Sequence, residues 1–393
     1  MTLRRTTYVE HLLKKPQSEL QIGLCKCAAN NQVINLGTAE NHMIDHLLLP
    51  LLQSRPEFKT CDLSYCSACN TQKLRQAIAQ LYVDHMGMKN VNSNQILFGS
   101  GIAHLLERVG FALAQKGDLV LIPKPCFGCF EPDMYPCGCS FEYIDLDNLP
   151  EKPPENARIL ILTNPGNPIG DIIPNQDKIL KWAYQNPNLH ILLDDIYALT
   201  IRKGEFTSIM AHPDVDLTRT HHLYGISKDW GMAGFHIGIF YTENKDVFET
   251  VKLCMGCYSM GSDTRQLLET IYCNHELRDK LIVESRKGLS HNIGVAETLL
   301  QEGGIKFNHC DGSLFIMIDL TDIAHNKEEE KKIWLDLIER FNVHILPGAN
   351  GFRYPIPGWY RLCFSVDEQK LRNGIAALIK GVKTIRAENS LYF

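Results

Sequence analysis

Residues 158–170 read RILILTNPGNPIG, an apolar run that passes directly into a turn rich in asparagine, proline and glycine. Similar short apolar runs, each ending in polar, glycine or proline residues, lie on both sides of it: DLVLIPKP (118–125), FEYIDL (141–146), LHILLDDIY (189–197) and THHLYGISK (220–228). Between several of these runs the apolar residues recur at helical spacing. Strands that alternate with helices predict βαβ units and a mostly parallel sheet, and therefore the α/β class.

The pattern changes after about residue 275. A long periodic stretch, DKLIVESRKGLSHNIGVAETLLQEGG, leads into shorter strand-like runs separated by predicted helices near 327–341 and 367–386. This arrangement predicts a second, smaller α+β domain that also takes in residues from the N-terminus. We therefore expect a large domain at residues 46–275 and a small domain made of residues 1–45 and 276–393.

Composition and charge exclude several classes of protein. The formal net charge is −5 at pH 7, whereas a nucleic-acid-binding protein needs a basic face. No apolar run is long enough to span a bilayer. The basic N-terminal sequence MTLRRTTYVEHLLKK also lacks the apolar core of a secretory signal. We expect a cytoplasmic protein without nucleic-acid or membrane partners.

The chain contains fourteen cysteines, and several of them form closely spaced pairs. These include Cys66/Cys69, Cys126/Cys129, Cys137/Cys139 and Cys254/Cys257. A structural zinc site usually brings two such pairs, or one pair and two histidines, at close spacing. Because these pairs are scattered among different kinds of segment, we favour free thiols in a reducing compartment and predict no metal.

Chemically informative residues follow the ends of the predicted strands. Asn167 lies in the turn after one strand, Asp194 and Tyr197 follow the next, and Lys228 follows a third. Residues 99–101, with the sequence GSG, connect another strand to a helix N-terminus, where free N–H groups favour an anion. Each feature alone has an ordinary explanation as a turn, a cap or a solvated side chain. Together they predict one site, because ligands of open α/β sheets bind at the carboxyl ends of the strands.

Five motifs, in this order, resemble those of the pyridoxal-phosphate (PLP)-dependent class I/II aminotransferase family, fold type I. They are INLGTAENHM (34–43), NPGNPIG (164–170), DDIY (194–197), SKDWGMAGFHIG (227–238) and GWYRLCFS (358–365). The resemblance covers nearly the whole chain and is closest to the 1-aminocyclopropane-1-carboxylate (ACC) synthase-like branch. It implies a large domain with a mostly parallel central sheet flanked by helices, a smaller α+β domain, PLP as cofactor and a homodimer.

The resemblance assigns roles around the cofactor ring. Lys228 is expected to form the Schiff base with the cofactor aldehyde and, once freed, to move the Cα proton as general acid/base. Asp194 is expected to pair with the pyridine nitrogen, and Asn167 and Tyr197 to hydrogen-bond the phenolate oxygen. Phe127 fits the aromatic residue that stacks on the ring, although an ordinary core phenylalanine is the alternative.

Further roles concern the phosphate and the substrate. The backbone N–H groups of Ser100, Gly101 and Ile102 are expected to bind the phosphate, and Tyr65 aligns with a tyrosine that reaches the phosphate of the neighbouring subunit. Arg361 is expected to clamp the substrate α-carboxylate, for which a bidentate guanidinium is well shaped. The alternative for this arginine is a salt bridge on a strand of the small domain.

The sequence departs from the family pattern at the phosphate. The family commonly has a serine three residues before the lysine and an arginine eight residues after it, both on the phosphate. Here those positions hold Gly225 and His236. An imidazole balances a dianion less well than a guanidinium does. We therefore expect a weaker, pH-sensitive hold on the cofactor.

A second departure concerns the substrate. Glu40 resembles a glutamate that is important for the amino-acid substrate in the ACC synthase-like branch, and Asn167 is a further expected substrate contact. An N-cap or surface carboxylate is the alternative for Glu40. Phe58 stands where a substrate-stacking tyrosine is expected, and the segment before Tyr65 lacks the branch's YHG pattern. These differences argue against S-adenosylmethionine as substrate.

Three functional hypotheses remain. The leading one is a PLP-dependent aminotransferase that acts on an α-amino acid, with a 2-oxo acid taking the amino group back. The second is an ACC synthase-like lyase or cyclase that eliminates or cyclises at the γ-carbon. The third is a non-catalytic binding module that keeps the fold, and its only support is the pair of departures at Gly225 and His236.

Overall fold

The computed structural model describes residues 18–54, 58–64, 71–255 and 260–390. We number its strands in chain order: β1 Ile34–Asn35, β2 Ile96–Gly99, β3 Leu119–Pro123, β4 Ser140–Ile144, β5 Ala157–Thr163, β6 His190–Asp194, β7 Thr220–Gly225, β8 Gly238–Tyr241, β9 Lys306–Phe307, β10 Phe315–Asp319, β11 Val343–His344, β12 Leu346–Pro347 and β13 Trp359–Cys363. The α-helices are Glu19–Ala29, Asp45–Gln53, Gln72–Met86, Gly101–Leu113, Phe130–Met134, Gln176–Ala183, Lys245–Met255, Ser262–Tyr272, His275–Glu302, Lys327–Phe341, Gly348–Gly351 and Glu368–Ser390.

The largest sheet contains seven strands in the order β2-β8-β7-β6-β5-β3-β4. Its strands are parallel except β8, which runs antiparallel to both of its neighbours, β2 and β7. Strands β5 and β6 contain continuous apolar runs because helices cover both faces of a parallel sheet, so that neither face is solvated. The predicted α/β fold with a mostly parallel central sheet flanked by helices is confirmed.

Different helices cover the two faces of this sheet. On one face, Tyr82 of helix Gln72–Met86 and Leu268 of helix Ser262–Tyr272 pack into one apolar cluster. On the other face, Leu105 of helix Gly101–Leu113 and Val251 of helix Lys245–Met255 pack into a separate cluster. Successive residues of each strand therefore alternate between two distinct cores, as the pleat of a strand requires.

A third apolar core, the smaller core, forms around the four-stranded antiparallel sheet β12-β13-β10-β9. Helices Lys327–Phe341 and Glu368–Ser390 pack on it, and β1 pairs with β11, which joins the N-terminal part of the chain to this unit. Helix His275–Glu302 contributes Leu281 to the core of the large sheet and Leu289 to the smaller core. Because this one helix serves both cores, the proposed domain boundary near residue 275 stays a prediction.

Neighbouring parallel strands end together at the edge of the large sheet where the predicted site lies. Thr163 at the end of β5 pairs with Asp194 at the end of β6, and Asp194 pairs with Leu223 of β7. The residues that follow these strands are therefore brought side by side. The structure thus assembles at one edge Asp194, at the end of β6, and the segments after β5 and β7 that carry Asn167 and Lys228.

Within the described ranges, none of the helices combines the length and apolarity needed to cross a bilayer. The same residues contain no group of three or more histidine, cysteine, aspartate or glutamate side chains arranged to hold a metal ion. The cysteines whose side chains are described are free thiols. The expectations about metal, nucleic acid and compartment stay predictions.

Candidate active site

Lys228 lies three residues beyond the end of β7 and is partly buried. Burial is the main cause that lowers the pKa of its amine, and the positive charge of Arg361 acts in the same direction. The Cys363 thiol and the carboxylates of Glu40 and Asp194 act in the opposite direction. The lysine therefore loses its proton more readily than a solvated lysine, which is what a nucleophilic amine needs.

Asp194 is the last residue of β6 and is 5% exposed. Burial first, and the negative charge of Asp195 second, raise the pKa of its carboxyl to about 7. The backbone N–H of Ile196 donates to its Oδ1 at 3.3 Å, and the charge of Lys228 also favours ionisation. A carboxyl in this environment would be stabilised as the anion by a cationic partner, such as a protonated ring nitrogen.

Arg361 is 3% exposed and projects from β13 into the space beside the lysine. Its guanidinium carbon lies 4.6 Å from the ring centre of Phe315 and 4.5 Å from that of Phe352. Its Nη1 donates to Oδ1 of Asn167 at 2.9 Å, and no hydrogen bond satisfies its buried Nε. In the described part of the chain no carboxylate forms an ion pair with it, so the salt-bridge alternative is wrong for these residues. A buried cation without a counter-charge is suited to an anionic ligand.

A short N-terminal stretch, residues 36–42, lies against the site and binds it through main-chain atoms. The carbonyl oxygen of Gly37 accepts a hydrogen bond from Arg361 Nη2 at 2.7 Å. The carbonyl oxygen of Ala39 accepts one from Lys228 Nζ at 2.6 Å. These two bonds hold the lysine and the arginine against the same piece of backbone, although the two side chains come from different sheets.

Tyr197 is buried and its ring meets Phe315 edge to face, with the ring centres 5.4 Å apart. Burial is the main cause that raises the pKa of its phenol. The phenol therefore stays protonated and can act as a hydrogen-bond donor. Phe315 thus contacts both Tyr197 and Arg361, and it connects the large-sheet side of the site with the smaller core.

The predicted phosphate cradle is formed by glycine backbone. Gly101 begins helix Gly101–Leu113 with φ of +81°, and no atom lies within 4 Å of the point where a Cβ would stand. A Cβ on Gly238 would meet the Gly101 carbonyl carbon at 2.6 Å, so the chains approach closely there. Ser100 is exposed, and its N–H donates to Nδ1 of His104 at 3.3 Å. Ile102 is partly buried in the first turn of the same helix.

The two departures from the family pattern lie close to this cradle. Gly225 pairs with Gly238, and a Cβ on Gly225 would lie 3.0 Å from the Ile237 carbonyl oxygen and 3.7 Å from Cδ1 of Ile102. His236 is exposed and has a left-handed backbone with φ of +51°. This corner of the site is therefore open to solvent and lined by backbone and isoleucine.

Phe127 is partly buried on the loop after β3 and meets Phe130 edge to face, with ring centres 5.5 Å apart. The adjacent Cys126 N–H donates to the carbonyl oxygen of Phe352 at 2.9 Å. The loop that carries the expected stacking residue is thereby tied to the residue that covers Arg361. The stacking role of Phe127 stays a prediction.

The remaining predicted residues lie at the edge of the site or outside the described residues. Glu40 has a side chain that is 48% exposed, and its Oε2 lies 3.6 Å from Nε2 of His42. The interaction with His42 is the main cause that lowers the pKa of Glu40. Glu40 is not an N-cap, because the next helix begins at residue 45 after Ile44. Phe58 is exposed, and Tyr65 falls outside the described residues.

Sequence reasoning missed several contributors. Phe315 lies in a strand where its sequence context does not distinguish it from an ordinary core residue, and Phe352 lies in an irregular segment where no pattern marks it. The carbonyl oxygens of Gly37 and Ala39 cannot be found by any argument from side chains, because every residue carries one. His104 stands four residues after Ser100 in the helix, and this i, i+4 spacing was the available signal.

The fold and the arrangement of lysine, aspartate and buried arginine define a fold type I, PLP-dependent enzyme. The model of the family "Aminotransferase class I and II" matches residues 31–378, and the chain belongs to that family. Members of the family are PLP-dependent enzymes, so the predicted enzyme class and cofactor are confirmed.

Two curated relatives are ACC synthases. The chain is 27% identical over 380 residues to 1-aminocyclopropane-1-carboxylate synthase 2 of Arabidopsis thaliana, covering 86% of this chain and 76% of the relative. It is 27% identical over 371 residues to 1-aminocyclopropane-1-carboxylate synthase 2 of Cucurbita pepo, covering 85% and 74%. The predicted likeness to the ACC synthase branch is confirmed.

Two solved structures share the fold. Aspartate aminotransferase from Thermus thermophilus with maleate superimposes with a TM-score of 0.80 at 17% identity, over 97% of this chain and 100% of that chain. Aromatic aminotransferase from Pyrococcus horikoshii superimposes with a TM-score of 0.76 at 19% identity, over 93% and 99%. At these identities the likeness establishes the fold.

The described residues fit the cofactor that the family implies. The buried Asp194 carboxyl lacks a cationic group in hydrogen-bond contact among the described residues, and a protonated pyridine nitrogen would supply one. The open space beside Gly101 at a helix N-terminus suits a phosphate. The lowered pKa of Lys228 suits an amine that attacks an aldehyde.

Proposed function

We propose that this chain is an aminotransferase that acts on an α-amino acid through Lys228 and returns the amino group to a 2-oxo acid. The observation that carries the proposal is Arg361, a buried guanidinium held between two aromatic rings without a counter-charge among the described residues. Both substrates carry a carboxylate beside the reacting carbon. A planar guanidinium whose buried Nε has no hydrogen-bond partner would bind either of them in the same orientation.

Lys228 Nζ would hold the cofactor's aldehyde carbon covalently. When the substrate amine takes its place, the freed amine would remove the proton from substrate Cα and return a proton later. When bound, PLP supplies the electron sink that makes this carbon acid strong enough to react. The Ala39 carbonyl oxygen accepts a hydrogen bond from Nζ at 2.6 Å, and this bond would hold the amine in place when it is not attached to the cofactor.

Three other side chains would orient the ring. Asp194 would pair with the pyridine nitrogen and keep it protonated, because that contact replaces the missing counter-charge of a buried carboxylate. Tyr197, a phenol that stays protonated, and Asn167 would hydrogen-bond the phenolate oxygen. Asn167 also accepts from Arg361 at 2.9 Å. It therefore connects the ring to the substrate carboxylate.

A second function is favoured by the curated relatives, which are ACC synthases. Elimination or cyclisation at the γ-carbon would use the same lysine, aspartate and arginine. The difference would lie in the fate of the electron pair left when substrate Cα loses its proton, which would either take up a proton again or displace a leaving group from Cγ. Glu40, with a pKa lowered by His42, would then stand as an anion at the edge of the site beside a substrate cation.

One experiment separates these functions. The PLP-loaded enzyme is incubated with a panel that includes aspartate, an aromatic amino acid, methionine and S-adenosylmethionine, with and without a 2-oxo acid. Conversion of the cofactor to its amino form, with a new amino acid made from the 2-oxo acid, supports the aminotransferase. Release of a leaving group from Cγ supports the lyase or cyclase. A protein that binds no PLP, or that processes nothing in the panel, supports the binding module.

We also infer a homodimer in which Tyr65 reaches the partner's phosphate. Leu63 and Phe58, just before it in sequence, are 84% and 56% exposed, and exposed apolar side chains in one short stretch suit a subunit contact. Co-expressing Tyr65→Phe and Lys228→Ala chains should give hybrid dimers with one intact site and more activity than either homodimer. A monomer by light scattering, or hybrids without recovered activity, would contradict this arrangement.

A further inference from the structure

A second carboxylate, Asp195, directly follows Asp194 and is paired with a histidine. Oδ2 of Asp195 lies 3.1 Å from Nε2 of His222, and both side chains have no exposed surface. The pairing follows from the strand register. Leu193 of β6 pairs with His222 of β7, so Asp195 follows two residues later on the same face, within reach of the imidazole.

The surroundings of this pair are aromatic and poor in charge. Tyr82 of helix Gln72–Met86 meets the His222 ring edge to face at 4.7 Å, and Tyr224 of the same strand lies parallel to it at 6.3 Å. Tyr241 of β8 is the register partner of His222. Among the described groups facing the imidazole, Asp195 is therefore the charged one, and the others are phenols.

Several polar atoms here have no hydrogen-bond partner. Oδ1 of Asp195, Nδ1 of His222 and the hydroxyl of Tyr82 are all buried and unsatisfied.

Two other carboxylates lie near Asp195. Burial is the main cause that raises the pKa of Asp194 and of Asp229, and the negative charge of Asp195 raises both pKa values further. Buried carboxylates this close cannot all be ionised unless a cation accompanies them. Among the described residues in contact with Asp195, His222 is the group that can supply that cation.

We propose that His222, as an imidazolium ion paired with Asp195, is a positioning residue that keeps Asp194 ionised opposite the pyridine nitrogen. The inference rests on the proposed function, in which Asp194 contacts that nitrogen. The imidazolium of His222 and the carboxylate of Asp195 together carry no net charge. Asp194 therefore has no uncompensated negative charge beside it. The carboxylate of Asp194 then remains available to a protonated ring, and the ring retains the positive charge that withdraws electrons.

The chain offers a matched control in the adjacent residue. His221 is as buried as His222 but points to the opposite face of the sheet, where its Nε2 lies 2.9 Å from Nδ1 of His190 and its Nδ1 lies 2.7 Å from Thr242 Oγ1. It therefore makes no contact with Asp195. A glutamine at either position keeps a hydrogen-bonding side chain of similar length and removes the capacity for charge.

The first test compares His222→Gln and His221→Gln in the PLP-loaded enzyme. We expect His222→Gln to move the pH midpoint of the cofactor's visible absorption band upward by about one unit and to weaken PLP binding about tenfold. The reason is that a ring with less positive charge leaves the lysine–cofactor linkage more basic. His221→Gln should change neither quantity, and both variants should unfold at similar temperatures. An unchanged midpoint and affinity in His222→Gln would overturn the proposal.

A double variant separates the proposed effect of charge from a packing defect caused by the loss of the imidazole. His222→Gln/Asp195→Asn removes both charges of the pair, so the absorption midpoint should return to the wild-type value although the imidazole is still absent. Failure of this rescue would assign His222 a packing role. Nitrogen NMR of histidine-labelled holoenzyme, assigned by the loss of a signal in His222→Gln, should show a protonated ring at neutral pH. A neutral ring would overturn the proposal without any comparison of stabilities.

Asp194→Asn separates this inference from the function on which it rests. If Asp194→Asn shifts the midpoint and His222→Gln does not, the inference about the histidine fails and the role of Asp194 stands. If neither variant shifts the midpoint, the contact of Asp194 with the ring nitrogen fails, and the proposed function fails with it.

Discussion

The two ends of the site are built in different ways. At the arginine end, aromatic rings from two segments, an asparagine side chain and a backbone carbonyl enclose a 3% exposed guanidinium. At the phosphate end, glycine backbone forms an open corner with the exposed Ser100 and His236. With the roles proposed for these residues, recognition of a carboxylate would be fixed by packed side chains, whereas the hold on phosphate would depend on backbone dipoles and solvent-screened charge.

This contrast predicts which end of the site selects its ligand more strictly. A buried, fixed cation discriminates strongly, because a ligand without the matching anion leaves it unpaired. An exposed cradle discriminates weakly and is sensitive to salt and to pH. We therefore expect substrate selection to depend on the arginine end and cofactor exchange to depend on the phosphate end.

Lys228→Ala should have the largest effect, because the proposed function gives this lysine both the covalent attachment of the cofactor and the proton transfer at substrate Cα. Loss of the general acid/base alone lowers kcat by roughly 10²–10⁴-fold, and the visible absorption band of the bound cofactor should disappear. Turnover and spectra of the purified variant measure this. The control is Lys252→Ala, a surface residue paired with Glu249 at 3.1 Å, which should leave both quantities unchanged. A retained band would rule out Lys228 as the attachment point.

Arg361→Lys tests the arginine end. Replacing the planar fork of a buried, hydrogen-bonded cation should raise the barrier for kcat/KM by about 2–5 kcal/mol. PLP affinity should stay near the wild-type value, because the side chain is expected to bind the substrate. Steady-state kinetics and equilibrium dialysis measure the two effects separately.

Arg353→Lys is the matched control for this prediction. Arg353 pairs with Glu131 at 3.1 Å and its side chain is 44% exposed, and exposed pairs contribute about 0–1 kcal/mol. If Arg361→Lys weakened PLP binding as much as it lowered kcat/KM, the two ends would not be separable.

His236→Arg tests the phosphate end. A permanent guanidinium should tighten PLP binding by about tenfold at pH 8, the order of one charge-assisted hydrogen bond. In the wild-type protein PLP affinity should fall as the pH rises and histidines lose their protons, whereas the variant should be flat over the same range. His309→Arg, at a side chain that is 79% exposed on the smaller unit, controls for overall charge. A flat wild-type profile would contradict the role of His236.

Gly225→Ser should have the smallest effect. A hydroxyl could add one hydrogen bond of about 0.5–1.5 kcal/mol to the phosphate. Its Cβ would, however, lie 3.0 Å from the Ile237 carbonyl oxygen, which offsets part of that gain. We expect less than a fivefold change in PLP affinity, measured by dialysis beside His236→Arg. A larger gain than that of His236→Arg would mean that the missing hydroxyl, and not the missing charge, limits the phosphate end.

The sheet could be predicted from the sequence because its central strands are buried on both faces and therefore read as unbroken apolar runs. Asp194 and Lys228 could be placed for the same reason, since polar residues that end such runs meet at one edge of a parallel sheet. The motif that contains Arg361 identified the arginine, but the sequence left open whether a carboxylate already paired with it.

Other features could not be predicted from the sequence. Phe352 reaches Arg361 from an irregular segment, and its place depends on how the smaller core packs against the loop after β3. The pairing of His222 with Asp195 depends on strand register, which no local pattern fixes. Helix His275–Glu302 has the periodicity of a single amphipathic element, which does not reveal that it serves two cores.

The stretch at residues 36–42 holds the lysine and the arginine through the carbonyl oxygens of Gly37 and Ala39. Every amino acid carries such an oxygen, so these two attachments do not depend on which side chains evolution places there. They depend on spacing, because insertion or loss of one residue would move one acceptor out of reach of its donor. In a collection of related sequences, this stretch should therefore keep its length, and position 37 should remain glycine because a Cβ there would clash with Nε2 of the buried His344.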